Sequence, residues 1–365
     1  MAQLGIVFGG PSPEHEISIL TGLLSERVLR EAGQDVAPIY WTLNGDWVLC
    51  PPSSEAKDFL EGAPKAGTKL EVTLGGGFQL PKKGLGGAKP LAIDAILNCC
   101  HGGPGENGGV NAVFDALGIP ASGGPTPMAA LGMDKLAFGA VLQQAGIQTL
   151  QRVALGESIP FKGPYIVKPR FGGSSIGIEV VEDLDTARAL AKSSVQLRQG
   201  VVVEPFSKGA VDLNLAYSTS PTLRFSLLEK PLKTGDLFDF NAKYVNTDGL
   251  AGAARELPAQ VSEAVTKEAE RLAAQVLEVT GIRGLGRLDF LLIDDVLYVN
   301  EINTIPGSMS LYLWPKEVPA AELLLGAIED ARQAFRVFAP APHQLGGAAL
   351  RAAGGIGGKL GQIGR

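Results

Sequence analysis

The sequence predicts an α/β fold spread over two or three domains, and three observations carry that expectation. Short apolar runs of strand length, Leu4 to Phe8, Val36 to Trp41 and Leu91 to Cys99, are separated by segments with helical spacing. That alternation is the order that builds a parallel sheet. The helix candidates end on glycine: Ile17 to Ala32 before Gly33, Val110 to Leu117 before Gly118, and Met133 to Ala145 before Gly146. Finally, 365 residues exceed one ordinary domain, and 45% hydrophobic with 19% charged residues is a globular composition.

The remaining elements follow in order. Residues 73 to 90 are rich in Gly, Lys and Pro and read as a surface excursion. Pro164 to Pro169 reads as a strand running into the glycine-rich turn Phe171 to Gly177, and Ile178 to Val180 as its return strand. Asp183 to Ser193 has helical spacing with Asp183 or Asp185 near its cap, and Val201 to Phe206 is an apolar strand. Residues 229 to 256 read as a long polar excursion before the strongly periodic helix Pro258 to Thr280. Leu288 to Ile293 and Val296 to Val299 are two strands flanking the turn Asp294-Asp295. Residues 340 to 365 are rich in Gly and Ala, offer little large apolar surface, and read as a loosely ordered tail.

Composition narrows the function. A net charge of −6 argues against nucleic acid or an anionic membrane as main partner. The start MAQLGIVFGG reads as a strand, without the charged region or cleavage pattern of a signal peptide. No run approaches the ~18 apolar residues of a spanning helix. Cys50, Cys99 and Cys100 are too few for a disulfide framework, which points to a reducing, cytoplasmic setting. Cys99-Cys100-His101 reads as buried residues at a strand end, because no second Cys/His pair completes four metal ligands.

Several constellations carry chemistry. In YVNEINTIPG, Glu301 and Asn303 are two apart, so on a strand they share a face, and Asp289 stands on the neighbouring strand. Three oxygen-bearing side chains at adjacent strand ends suit Mg²⁺. An internal salt bridge between Asp289 and Arg287 is the structural alternative, and metal binding is preferred because Glu-Ile-Asn leads into a Pro-Gly turn. Gly172 to Gly177 joins two strands, so it matches neither a Walker A loop nor a dinucleotide fingerprint. Such a hairpin can still fold over phosphates, and Lys168 upstream strengthens an anion site. Taken singly, Lys135 and Lys243 read as solvated lysines, and Glu204 before Pro205 as a strand-end carboxylate able to meet a base edge. Ser12 or Glu14 can cap the first helix, yet the loops Gly9 to Glu16 and His101 to Gly109 both follow strands. Two such loops side by side read as a crevice wall.

With these pieces in order, the chain resembles D-alanine–D-alanine ligases of the ATP-grasp superfamily from about residue 3 to 335. The motifs are GGPSPEHEIS at 9 to 18, HGGPGENG at 101 to 108, MDK at 133 to 135, IVKPRFGGSSIG at 166 to 177, NAKY at 241 to 244, GLGRLDF at 284 to 290 and NEINTIPG at 300 to 307. The resemblance implies an N-terminal parallel α/β domain over 1–125, a small central α+β lobe over 126–205 and a larger C-terminal α+β lobe over 206–338, with 339–365 as the tail. It implies ATP-dependent joining of two D-alanines through an acyl phosphate, for peptidoglycan precursors, by a cytoplasmic homodimer. Lys135 and Lys168 would hold ATP phosphates, Ser174 and Ser175 would lie in the loop covering them, and Lys243 would meet the γ-phosphate from a mobile loop. Glu204 would sit by the adenine. Asp289, Glu301 and Asn303 would bind two Mg²⁺ ions, with Mn²⁺ as a substitute. Arg287 and the amide of Gly307 would stabilise the tetrahedral intermediate. Glu14 would hold the first amino group and, with Ser174 and Tyr244, form a triad closing the site; His101 would be near the substrates.

Two positions depart from the family pattern. The acid that grips the ribose falls near Ala210-Val211-Asp212, where Asp212 serves only after a shift of one residue. The serine that receives the second substrate's carboxylate falls at Tyr312, followed by Leu313. Two alternative readings therefore stand beside the ligase: a related D-amino acid ligase with a different second substrate, and a non-catalytic nucleotide-binding descendant.

Overall fold

A computed structural model describes residues 3–81, 87–173, 176–232, 254–335 and 347–352. Its first sheet is built from β1 (Gln3–Gly9), β2 (Val36–Trp41), β3 (Trp47–Leu49), β4 (Thr68–Thr73), β5 (Gly77–Leu80), β6 (Lys89–Pro90) and β7 (Ile93–Asn98), in the order β6-β5-β4-β3-β2-β1-β7. The expected parallel pairing holds for β1, which lies between β2 and β7. The other four strands are an antiparallel meander. Part of that meander corrects the expected excursion over 73 to 90. Gly75 and Gly77 take positive φ of 69° and 72°, which folds a tight hairpin between Thr73 and Gly77. The hairpin returns Phe78, fully buried, edge-on to Trp47 at 5.4 Å.

Alternation along β1 sends Leu4, Ile6 and Phe8 to one face and Val7 to the other. The first face is covered by helix α1 (His15–Glu31); after the short α2 (Gly103–Glu106), α3 (Gly109–Leu117) covers the second with Val110, Phe114 and Leu117. Gly22 is where α1 touches the sheet most closely, since a Cβ there would fall 2.4 Å from the Phe8 ring.

The expected helix Met133 to Ala145 is α5 (Lys135–Gln144), and a helix the sequence reading did not include, α4 (Thr126–Met133), leads directly into it. They meet at Asp134, whose extended backbone and side chain cap α5 through the amides of Leu136 and Ala137. A second, antiparallel sheet follows: β8 (Val153–Ala154), β9 (Tyr165–Pro169), β10 (Glu179–Val181) and β11 (Val201–Pro205), in the order β10-β9-β11-β8. Helix α6 (Leu184–Ser193) packs on it, capped by Asp183 as one of the two expected residues.

The third sheet holds β12 (Val211–Ser218), β13 (Arg224–Phe225), β16 (Leu285–Ile293) and β17 (Val296–Asn303), and a separate two-stranded ribbon pairs β14 (Lys230–Pro231) with β15 (Arg255–Glu256). The order in the sheet is β13-β12-β16-β17. The apolar stripe of α7 (Glu263–Thr280), including Ala269, Leu272, Ala273 and Val276, fills the core against Leu213, Leu215, Leu288 and Phe290. Helix α8 (Ala320–Ala334) closes the chain back onto the first sheet. One compact unit spans Met1–Phe335; a second, Arg336–Arg365, is described only at residues 347–352, where Ala348–Ala352 is a helix within the expected tail. Among the described residues no helix is long and apolar enough to cross a membrane.

Candidate active site

The polar corner begins on the hairpin β16–β17. Asp294 and Asp295 both have positive φ, 46° and 63°, the conformation that joins antiparallel strands through a two-residue turn. Cross-strand register sets Asp289 opposite Glu301 and Arg287 opposite Asn303. On the other side Asn214 faces Asp289, so Asp212 and Asn214 share this polar face. A bulge between Asp289 and Phe290 leaves Asn300 as the extra residue on β17. Asp289 Oδ1 accepts from Arg287 Nε at 2.6 Å, and its Oδ2 accepts both from an Arg287 terminal nitrogen at 2.8 Å and from Asn303 Nδ2 at 3.0 Å. The internal salt bridge that competes with metal binding is therefore present. Among the described residues no three His, Cys, Asp or Glu side chains gather to hold a metal. Two carboxylates and an amide still fit a hard divalent cation, because turning the Asn303 amide over exchanges its N–H donor for an oxygen.

Across from this hairpin lie cations. Lys135 and Lys168 are 6% and 4% exposed, so Lys135 is not the solvated lysine that its position alone implies, and Lys168 is a buried cation. Lys135 Nζ donates to the Gly172 carbonyl and lies 3.9 Å from Glu301 Oε2. Burial, countered by Glu301, leaves the Lys135 ammonium below its usual pKa. Lys168 Nζ and Arg152 Nε both donate to Glu204 Oε1 at 2.8 Å. Burial would raise the Glu204 pKa, but the charges of Lys168 and Arg152 outweigh it and hold the carboxyl ionised below its ordinary range. Glu204 Oε2 is buried and makes no hydrogen bond. Asn300 Oδ1 accepts from Lys168 and from Arg152, each at 3.4 Å, so the bulge aims that amide at the cations.

The N-terminal loops reach the same corner. Glu14 is buried, and although it stands at the N-terminus of α1 its side chain makes no capping bond there; Ser12 Oγ takes its amide instead. A Cβ on Gly102 would fall 2.5 Å from Glu14 Oε2, and one on Gly173 3.7 Å away. Glu14 thus lies beside both the His101 loop and the start of the glycine-rich turn. His101 binds the Ile305 carbonyl and the Thr21 hydroxyl, each at 2.8 Å, and burial pushes its pKa down to about 4. Glu106 accepts from the amide of Gly102 at 3.0 Å.

Gly307 opens the 3₁₀ segment Gly307–Leu313. Tyr312 stacks under Arg255, with 4.5 Å from guanidinium carbon to ring centroid. Leu313 is fully buried among core residues, its carbonyl bonded to the Leu227 amide. Ser174, Ser175, Lys243 and Tyr244 lie outside the described residues.

Sequence models of the D-alanine–D-alanine ligase N-terminus and C-terminus match residues 3–124 and 128–324. The chain belongs to the D-alanine–D-alanine ligase family. A D-alanine–D-alanine ligase of Campylobacter concisus is 33% identical over 91% of this chain and 94% of its own, and one of Helicobacter hepaticus 32% identical over 86% and 89%. The crystal structure of D-alanine–D-alanine ligase from Helicobacter pylori superimposes with a TM-score of 0.73 at 27% identity, covering 90% of this chain and 99% of that one. VanG D-Ala:D-Ser ligase from Enterococcus faecalis, at 22% identity and a TM-score of 0.74, shares the fold.

Within this ligase fold, sequence reasoning missed four polar residues. Glu106 sits inside HGGPGENG and is its only charged side chain, a signal that was available. Thr21, Arg152 and Asn300 gave none, because each acts through contacts more than 50 residues away in the chain.

Proposed function

We propose that this chain joins two D-alanines into D-alanyl-D-alanine in an ATP-driven reaction, through an acyl phosphate, and so supplies a peptidoglycan precursor. The observation that carries the reading is the meeting of Lys135 Nζ with Glu301 Oε2 at 3.9 Å, with Lys168 and Glu204 beside them. Buried lysines facing a hard-oxygen set are what phosphoryl transfer needs, since its catalysis is positioning and charge neutralisation.

In this reading Lys135 and Lys168 grip the phosphates, Glu204 lies by the adenine, and Asp212 takes the ribose. Asp289, Glu301 and Asn303 hold two Mg²⁺ ions, for which Mn²⁺ substitutes; when bound, they offset phosphate charge. Glu14 holds the ammonium of the first D-alanine. The carboxylate of that first D-alanine attacks the γ-phosphorus, and the bridging oxygen leaves with ADP. The amine of the second D-alanine then attacks the acyl carbonyl, and the oxyanion faces Arg287 and the Gly307 amide. The carbon–oxygen bond to phosphate breaks, the nitrogen loses its extra proton, and the dipeptide forms. An acyl phosphate must be kept from water, the task given to Ser174, Ser175, Lys243 and the triad Glu14, Ser174 and Tyr244, with His101 near the substrates.

Phosphate release with ATP, Mg²⁺ and D-alanine, with product mass, tests the reading: D-alanyl-D-alanine is expected. Nucleotide binding without phosphate release would instead identify a non-catalytic descendant. Glu301→Gln is expected to lower turnover by orders of magnitude, on the order of 10²-fold or more, with the thermal midpoint nearly unchanged. Near-normal turnover would sink the metal assignment. A second reading rests on Tyr312, which lies under Arg255 and stands at the sequence position of the family's acceptor-binding serine. In that case phosphate release requires D-alanine plus another acceptor, and the product mass differs. The proposal also makes the protein a cytoplasmic homodimer, for which light scattering reads twice the 38.0 kDa chain mass.

A further inference from the structure

Ser308, Met309 and Ser310 follow Gly307 with φ of 49°, 51° and 50° and ψ of 28°, 23° and 26°. Three successive residues with side chains in the left-handed region are sterically costly, so surrounding contacts must impose the turn. Two kinds of contact do so. Met309 and Ser310 are buried from below, 1% and 0% exposed. From the first domain, Thr21 and His101 take hold on both sides of Pro306-Gly307. Ser308 N–H donates to Thr21 Oγ1 at 3.1 Å, Thr21 Oγ1 and His101 Nε2 are 2.8 Å apart, and His101 Nδ1 meets the Ile305 carbonyl at 2.8 Å.

The proton positions in this chain follow from its ends. A carbonyl only accepts, so His101 carries its hydrogen on Nδ1 and presents Nε2 as an acceptor. The Thr21 hydroxyl must then donate to Nε2, which frees a lone pair for the Ser308 amide. Every donor has one acceptor, and the chain runs in one direction. We infer that Thr21 is a positioning residue, which through His101 clamps the Ile305–Ser308 turn and so aims the Gly307 amide. The inference rests on the reading above, in which that amide faces the reacting carbonyl. Thr21 touches no reacting group; it lies in the middle of α1, with its side chain 1% exposed.

Valine keeps the shape of threonine and removes both hydrogen bonds, whereas serine keeps the hydroxyl. Thr21→Val is expected to lower kcat about tenfold to a hundredfold through misplacement of the turn, with KM for ATP within about twofold, because the phosphate lysines and Glu204 are untouched. Thr21→Ser is expected to restore most of kcat. Thr21→Val turnover equal to wild type, or Thr21→Ser as slow as Thr21→Val, overturns the clamp. A second measurement does not depend on activity. The chain has three histidines, so imidazole ¹⁵N NMR at neutral pH resolves the tautomer of His101. The Nδ1–H form in wild type, with its Nε2 resonance shifted in Thr21→Val, supports the clamp; the Nε2–H form overturns it, including when Thr21→Val fails to fold. If wild type shows no ligation at all, the ligase reading falls, and the NMR result alone decides the clamp.

Discussion

A carboxyl group near two other carboxylates keeps its proton to higher pH than one in water, and Glu106 is placed in that way. Burial is the largest influence, the charge of Glu14 the next, and that of Glu301 adds to both against the amides of Gly102 and Ile305; together they push its pKa up to about 8. In the unfolded chain the group would titrate near 4.5. The native state therefore binds a proton that the unfolded state has lost between those two values. The stabilisation is complete below 4.5 and disappears as pH rises through 8, at about 1.4 kcal/mol per pH unit. His101 has the opposite sign: its pKa is lowered by burial to about 4, so its contribution is complete above 6.5 and is lost as pH falls through 4. Above 6.5 Glu106 acts without that opposition. Urea midpoints are thus expected to fall from pH 6.5 to 8 in wild type and to stay flatter in Glu106→Gln; parallel profiles would remove Glu106 from the account. Its role was half legible in the sequence. The motif showed a lone acid among glycines, but its raised pKa depends on Glu14 and Glu301, both distant in the chain.

At the scale of elements, the hairpin β16–β17 was read most fully from sequence, because apolar runs bracket two aspartates and Glu301 and Asn303 stand at period two. Its bulge was not legible. Bulges depend on where a side chain is wanted, and here Asn300 is aimed at Lys168 and Arg152, residues of another sheet. The meander β4–β6 was missed for a related reason. Its strands are short, the turn between β4 and β5 is glycine-rich, and Phe78 is the one fully buried side chain of β5 and β6. The turn itself offers a test. Asp295 has φ of 63°, costly for a residue with a Cβ, and its charge adjoins that of Asp294. Asp295→Gly is expected to stabilise the protein by about 1 kcal/mol, read as a higher thermal midpoint with kcat unchanged. A lower midpoint would mean that the Asp295 side chain contributes contacts outweighing the backbone relief.

Across the whole molecule, one guanidinium joins three pieces of the fold. Gln148 and Thr149 pair with Val299 through both a backbone and a side-chain hydrogen bond, which sets the following residues against β17. Arg152 then lies beside the bulge. It donates to Glu204 of β11, to the Lys135 carbonyl at the start of α5, and to the Asn300 carbonyl next to Glu301. Sequence could indicate the family-like order of motifs, because each is local, but not this junction, which exists only once the second and third sheets are assembled. Under the proposed assignment of Lys168 and Glu204 to ATP, removing Arg152 should act on ATP handling in a specific way. Glu204 Oε1 accepts from both Arg152 and Lys168, so without Arg152 the carboxylate depends on Lys168 alone. A lysine committed to a buried carboxylate is less available to a phosphate. Arg152→Met is therefore expected to raise KM for ATP about tenfold or more, while KM for D-alanine changes little, and to lower stability by about 2–4 kcal/mol. Arg152→Lys restores the charge but cannot span Glu204 and the two carbonyls with one ammonium. It should recover part of the ATP affinity and little of the stability. Equal shifts in both Michaelis constants would show that Arg152 merely supports the fold, whereas a rise confined to ATP, rescued in part by lysine, ties the junction to the nucleotide.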